Sequence, residues 1–173
     1  MKKFSTILFI YILTLVFTSC KKESLQSYLV ESQEKEGFIT LDIPTSFLQL
    51  KSEDVSDDVK QTLQSIRKIN LVGLPIKGHE SDYKIEKAKI KSILKNSKKY
   101  KNLMRISNEG IKLNVYYTGD KDAIDEVIAF GYTNKIGVGV VRILGDNMNP
   151  SKIIEMMKNI KLDDNNLFSA FFK

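Results

Sequence analysis

The chain carries a single cysteine, Cys20, at the end of an uninterrupted apolar run. One thiol cannot form an internal disulfide, so whatever this chain folds into must be held by a buried core. The run before it is not part of that core. Met1-Lys2-Lys3 precede an almost wholly apolar stretch from Phe4 to Val16, and Phe17-Thr18-Ser19 lead into Cys20. A charged start, an apolar centre and small residues before a cut site make a secretory signal. The apolar centre is shorter than the roughly 20 residues that a spanning helix needs, and Lys21-Lys22-Glu23 follow at once.

A cysteine directly after Thr18-Ser19 resembles the bacterial lipobox, in which the thiol is acylated before cleavage and becomes the first mature residue. The match departs at Phe17, where leucine is usual. The resemblance implies residues 1–19 as signal peptide, 20–23 as acylated N-terminus and tether, and 24–173 as one domain. It also implies a cell-envelope protein anchored to a membrane through Cys20 and facing the periplasm. Each buried methylene of an acyl chain contributes about 0.8 kcal/mol, so a multiply acylated Cys20 would hold firmly. Lys22-Glu23 offer one acid where surface-export signals have two, which does not support display on the cell surface.

Lysine and arginine number 27 against 21 acids. Cleavage after Ser19 removes Lys2 and Lys3 and leaves 25 against 21, a formal +4. That balance is too mild to mark a nucleic-acid binder. About 150 mature residues suit one domain with a sizeable core.

Ser24 to Glu36 reads as a helix with Leu25, Tyr28 and Leu29 on one side and Gly37 closing it. Phe38 to Ile43 alternates and stops at Pro44, as a strand does. A second helix is expected from about Ser52–Ser56, with Val55, Val59, Leu63 and Ile66 at helical spacing and Arg67-Lys68 at its end. Glu53, Asp54, Asp57 and Asp58 crowd its start, where capping and the helix dipole explain them better than a metal does. Ile69 to Pro75 is a short strand, and a third helix spans Tyr83 to Ser97, burying Tyr83, Ile90, Ile93 and Leu94.

The remainder reads as sheet. Lys101 to Ser107 turns at Asn108-Glu109-Gly110 into the alternating strand Ile111 to Thr118. Ile124 to Tyr132 and Ile136 to Leu144 form a hairpin around Thr133-Asn134-Lys135. A helix over residues 122–130 fits the spacing too, but β-branched and aromatic residues favour strand. Gly145-Asp146-Asn147 ends the sheet, and Asn149-Pro150 opens a last helix burying Ile153, Ile154, Met157 and Ile160. The order of elements predicts an α+β fold, with a mostly antiparallel sheet of about four to six strands and helices packed on one face.

The run Val140-Val141-Arg142-Ile143-Leu144, then Gly145-Asp146-Asn147-Met148-Asn149 and a helix with Ile153-Ile154, resembles a family of bacterial envelope lipoproteins known as domain of unknown function 4252. In that family a strand closes on a Gly-Asp turn leading to the C-terminal helix. The resemblance implies a small lipoprotein domain and brings no catalytic residues.

Chemistry-bearing residues are sparse. His79 is the only histidine, and Glu80 or Asp82 could serve it as an acid in a hydrolase-like site. No Gly-x-Ser-x-Gly elbow accompanies it, and no ligand set for zinc exists. An exposed loop histidine is the simpler account. Gly137-Val138-Gly139 lacks the third glycine of a phosphate loop and reads as strand interior closely packed by another element. Asp146-Asn147-Met148-Asn149 lacks the glycine and distal glutamate of a calcium loop. No cofactor and no metal are expected.

The third helix stands out for its charge. Between Lys77 and Arg105 there are ten lysines and arginines against three acids. Lys84, Lys87, Lys91, Lys95 and Lys98 step by three or four and share one narrow helix face. Such a face suits anionic headgroups, an acidic envelope protein or an envelope polymer, and it is also what a solvated helix looks like. No aromatics interleave the lysines to stack on bases, which excludes nucleic acid. The tail residues Leu167, Phe168, Phe171 and Phe172 are expected to pack back on the domain. The expected function is a non-catalytic binding or accessory module; a self-associating structural protein is the other non-enzymatic possibility.

Overall fold

The structure, a computed structural model, describes residues 23–44, 49–50, 56–108, 110–153 and 160–161. Cys20, the acids Glu53 and Asp54, Val55, Ile154, Met157 and the phenylalanine-rich tail lie outside the described residues. Among the described residues no helix is long and apolar enough to cross a membrane.

The elements run α1 (Leu25–Ser32), β1 (Ile39–Pro44), β2 (Gln49–Leu50), α2 (Asp57–Ser65), β3 (Ile66–Pro75), α3 (Glu80–Asn96), β4 (Lys101–Asn108), β5 (Ile111–Gly119), β6 (Ile124–Thr133), β7 (Gly137–Met148) and β8 (Ile160–Lys161). Six strands form one antiparallel sheet in the order β1-β3-β7-β6-β5-β4, and β2 pairs with β8 apart from it. The α+β class and the antiparallel sheet therefore stand as expected. Residues 124–133 are strand, so the helical alternative for 122–130 is set aside. Helix α3 carries the chain from β3, next to one edge, to β4 at the far edge.

Both faces of the sheet are apolar. On the first, Val72, Leu74, Ile128, Phe130, Val138 and Val140 pack against Leu25, Tyr28 and Leu29 of α1 and Tyr83, Ile90, Ile93 and Leu94 of α3. On the second, Ile43, Ile69, Val127, Ile143 and Met148 form a cluster that Leu63 of α2 and Ile153 close at one end. Helical cover is thus not confined to one face.

Several boundaries move, each for a local reason. Helix α1 opens on a Ser24–Ser27 capping box but stops at Ser32, whose hydroxyl donates back to the Tyr28 carbonyl at 2.7 Å. Four tighter turns then replace the helix, the last of them containing Gly37, which has φ +80°. Ile66, Arg67 and Lys68 leave the helix and begin β3, where Arg67 pairs with Asp146 and Lys68 with Asp42. Ile160 lies in β8 opposite Leu50 and is not part of a helix. Gly145-Asp146-Asn147 does not end the sheet. These residues form a bulge in β7, after which Met148 pairs again with Ile124. Asn147 takes φ 52° there. Asn149 caps the helix at 150–153, accepting from Ser151 N at 3.0 Å and Lys152 N at 3.3 Å.

Burial also sets how this fold responds to alkali. The Tyr28 hydroxyl is pushed up by burial and by the neighbouring Glu86 carboxylate. Tyr100 is pushed up by burial and by Glu126. Hydrogen bonding to Glu23 is the main cause that raises Lys89. All three keep their protons in the folded state beyond the unfolded value, so the stability they contribute is complete below about pH 10 and is lost as pH rises further. Unfolding midpoints in urea are expected to be flat from pH 7 to 9 and to fall above about pH 10.

Candidate functional site

Helix α3 positions the basic surface. Tyr83, Glu86, Ile90, Ile93 and Leu94 are its buried side, and the Tyr83 hydroxyl donates to Asn134 Oδ1 at 3.0 Å, tying the helix to the β6–β7 turn. Lys84, Lys91 and Lys95 are exposed on α3, whereas Lys98, expected on the same helix face, lies in the turn beyond it, because the helix ends at Asn96 and Ser97 is extended. All four are exposed and none makes an ion pair among the described residues. Lys87 differs. It is half-buried with its Nζ 4.6 Å from the Tyr83 ring centroid and 5.4 Å from that of Tyr132, a cation–π placement that commits it to the domain.

That contact shows what the lysine face looks onto. Tyr132 stands opposite Lys112 in the sheet, Lys112 opposite Ser107, and the next pair across the same two strands and face is Asn114 with Arg105. Lys112 and Arg105 are exposed, so the basic surface continues from α3 onto the outer strands. In the sequence Lys112 and Asn114 were visible only as the polar half of an alternating strand. Which helix they sit beside depends on the crossover and the register.

The lysines on the other flanks of α3 are paired. Lys89 bonds Glu23 at 2.8 Å and Glu31 at 3.3 Å, Lys35 bonds Glu86 at 2.7 Å, and Lys99 bonds Glu126 at 2.9 Å. Glu126 is part of a buried network that periodicity did not reveal. It is 2 % exposed, receives Arg142 Nε at 2.5 Å and the Thr118 hydroxyl at 3.3 Å, and Arg142 also donates to Gln26 of α1.

His79 occupies the position before α3 without capping it. Its imidazole packs onto Gly37, where an added Cβ would lie 2.3 Å from the ring. Asp82 Oδ2 is 3.9 Å from Nδ1, beyond hydrogen-bond reach. Glu80 is fully exposed, and the backbone amides of Glu80 itself and Gly78 hold its carboxyl below the usual range. The three side chains are near one another but not arranged as a nucleophile and base. Among the described residues no group of three metal-binding side chains comes together.

Gly137 and Gly139 lie inside β7 as expected. Gly137, with φ +147°, lets β3 come so close that a Cβ would meet the Leu74 carbonyl. Gly139, however, is half-buried and lines a cleft, and no other element lies over it among the described residues.

The sequence pattern described as Domain of unknown function (DUF4252) matches residues 28–156. The chain belongs to that family. The matched segment runs from within α1 through the whole six-stranded sheet to the helix at 150–153, so it contains the lysine face and the Thr118, Glu126 and Arg142 members of the buried network of this DUF4252 chain. No curated protein and no solved structure matches it.

Proposed function

We propose that this DUF4252 chain is a lipid-anchored, non-catalytic binding module of the bacterial cell envelope. In this reading acylated Cys20 holds it on a membrane on the periplasmic side, and the lysine face of α3 meets an anionic envelope protein or polymer. The observation that supports it is a contrast around α3: Lys35, Lys89 and Lys99 have acid partners, whereas Lys84, Lys91 and Lys95 on the helix, and Lys98 in the turn just beyond it, are exposed without one among the described residues. Arg105 and Lys112 widen that group into a surface. Concentrated charge of one sign steers an oppositely charged partner and fixes its orientation.

The test replaces Lys84, Lys91, Lys95 and Lys98 together by glutamine and leaves Lys87 in place. Crosslinking in intact cells, recovery of the anchored protein and mass spectrometry should yield an acidic partner with the native chain. Recovery should fall at least tenfold with the variant, and the unfolding midpoint should stay within a few degrees. Equal recovery of the same partner would remove the lysine face as its contact.

A further inference from the structure

The second face of the sheet holds a different kind of surface. Ile39, Gly73, Gly139, Gly131 and Leu113 stand opposite one another across five neighbouring strands. Side chains rise at both ends of this row and none rises from its three middle strands. The result is a trough of about 320 Å³ running across the strands, lined almost wholly by apolar groups. Its outer end carries Ile136, 43 % exposed, and Ile111, 50 % exposed. In the middle of a sheet, glycine costs stability and commonly marks close approach of a ligand to the backbone.

The glycines are not all demanded by the strands. Gly139 is crowded by the Val72 carbonyl, 3.1 Å from where a Cβ would stand. At Gly131 a Cβ would meet only ordinary contacts, Leu113 Cδ1 at 3.6 Å and the Lys112 carbonyl at 4.0 Å, and φ is not left-handed. A side chain would fit at Gly131, and fitting it there would fill the trough.

Cations stand along one flank, where β3 and β6 end and β7 begins. The β3–α3 and β6–β7 loops are joined there by Ile76 N donating to Ile136 O at 2.9 Å. Lys77 and Lys135 adjoin that bond, and both are exposed without an ion pair among the described residues. The acid nearest in sequence to Lys77, Glu80, accepts from Gly78 N. An apolar floor with cations on one flank is complementary to a single alkyl chain carrying an anionic head. The volume is about that of ten waters at ~30 Å³ each, which suits one chain and not a folded apolar surface.

We infer that this trough binds the alkyl chain of a long-chain fatty acid, with the carboxylate held by Lys77 and Lys135. The site is on the face opposite the helix α3 lysines and stands independently of them.

The probe is palmitate bearing a diazirine in its chain, added to the full-length anchored protein in phosphatidylcholine nanodiscs and photolysed. Label is expected on peptides spanning residues 111–113 and 131–141. Gly131→Leu should cut it at least tenfold, and the methyl ester of the probe should label several-fold less than the acid. Circular dichroism checks that the variant folds. Ala129→Leu, which fills from the neighbouring row of the same face, is the second variant and should give the same loss. Label confined to the anchor region, label unchanged by both variants, or equal labelling by acid and ester would each overturn the inference. So would absence of label, which would mean that the chain's own residues or a second copy occupy the trough.

Discussion

Replacing Glu126 with alanine is expected to cost about 3–5 kcal/mol of folding stability, the range for breaking a buried pair by removing one partner. The carboxylate is 2 % exposed and satisfies Arg142, Thr118 and Lys99 together. Its loss leaves the Arg142 guanidinium, itself 8 % exposed, with only Gln26 as a side-chain partner among the described residues. Urea unfolding followed by far-ultraviolet circular dichroism measures the effect as a lower midpoint at unchanged slope. Changing both partners, Glu126→Leu with Arg142→Met, should cost much less than the single change, because no uncompensated charge then remains buried. If the single and double changes cost the same, the pair is not the source of the effect. The expectation is specific to this fold: Thr118, Glu126 and Arg142 lie on three neighbouring strands, and Gln26 reaches them from α1.

The second large effect separates two glycines of the same sheet. Gly137→Ala is expected to destabilise by about 3 kcal/mol, combining backbone strain with overpacking. Its φ is +147°, and the added carbon would stand 2.1 Å from the Leu74 carbonyl of β3, a backbone atom that cannot rotate away. Gly131→Ala, with its nearest neighbour at 3.6 Å, should be neutral or slightly stabilising because it restricts the unfolded chain. Thermal unfolding of the two variants side by side decides this. Equal midpoints would show that β3 and β7 can part at that end without cost.

Much of the fold was legible in local pattern. The buried side of α1 at Leu25, Tyr28 and Leu29, the buried stripe of α3, the alternation of Ile111 to Thr118 and the Asn149-Pro150 helix start all act within a few residues, and each appears where it was read. The boundaries that moved were set by distant partners. Ile66 reads as the last turn of a helix until β7 is beside it to take it into a strand. Gly145-Asp146-Asn147 reads as a stop until Met148 finds Ile124 across the bulge.

The candidate surfaces divide the same way. Periodicity alone put five lysines on one face of a helix, and four of them stand in α3; Lys98 does not, because the helix ends at Asn96 and Ser97 is extended. Periodicity could not distinguish Lys87, spent on two aromatic rings, from its exposed neighbours, nor add Arg105 and Lys112 from strands that follow later in the chain. The glycine row is more dependent still. Gly73, Gly131 and Gly139 are scattered in sequence, and only strand order and register bring them side by side. Local propensity, spacing and charge are properties of short segments and so belong to the sequence itself. A buried ion network and a trough across five strands exist only where separated segments meet, and tertiary pairing alone decided them.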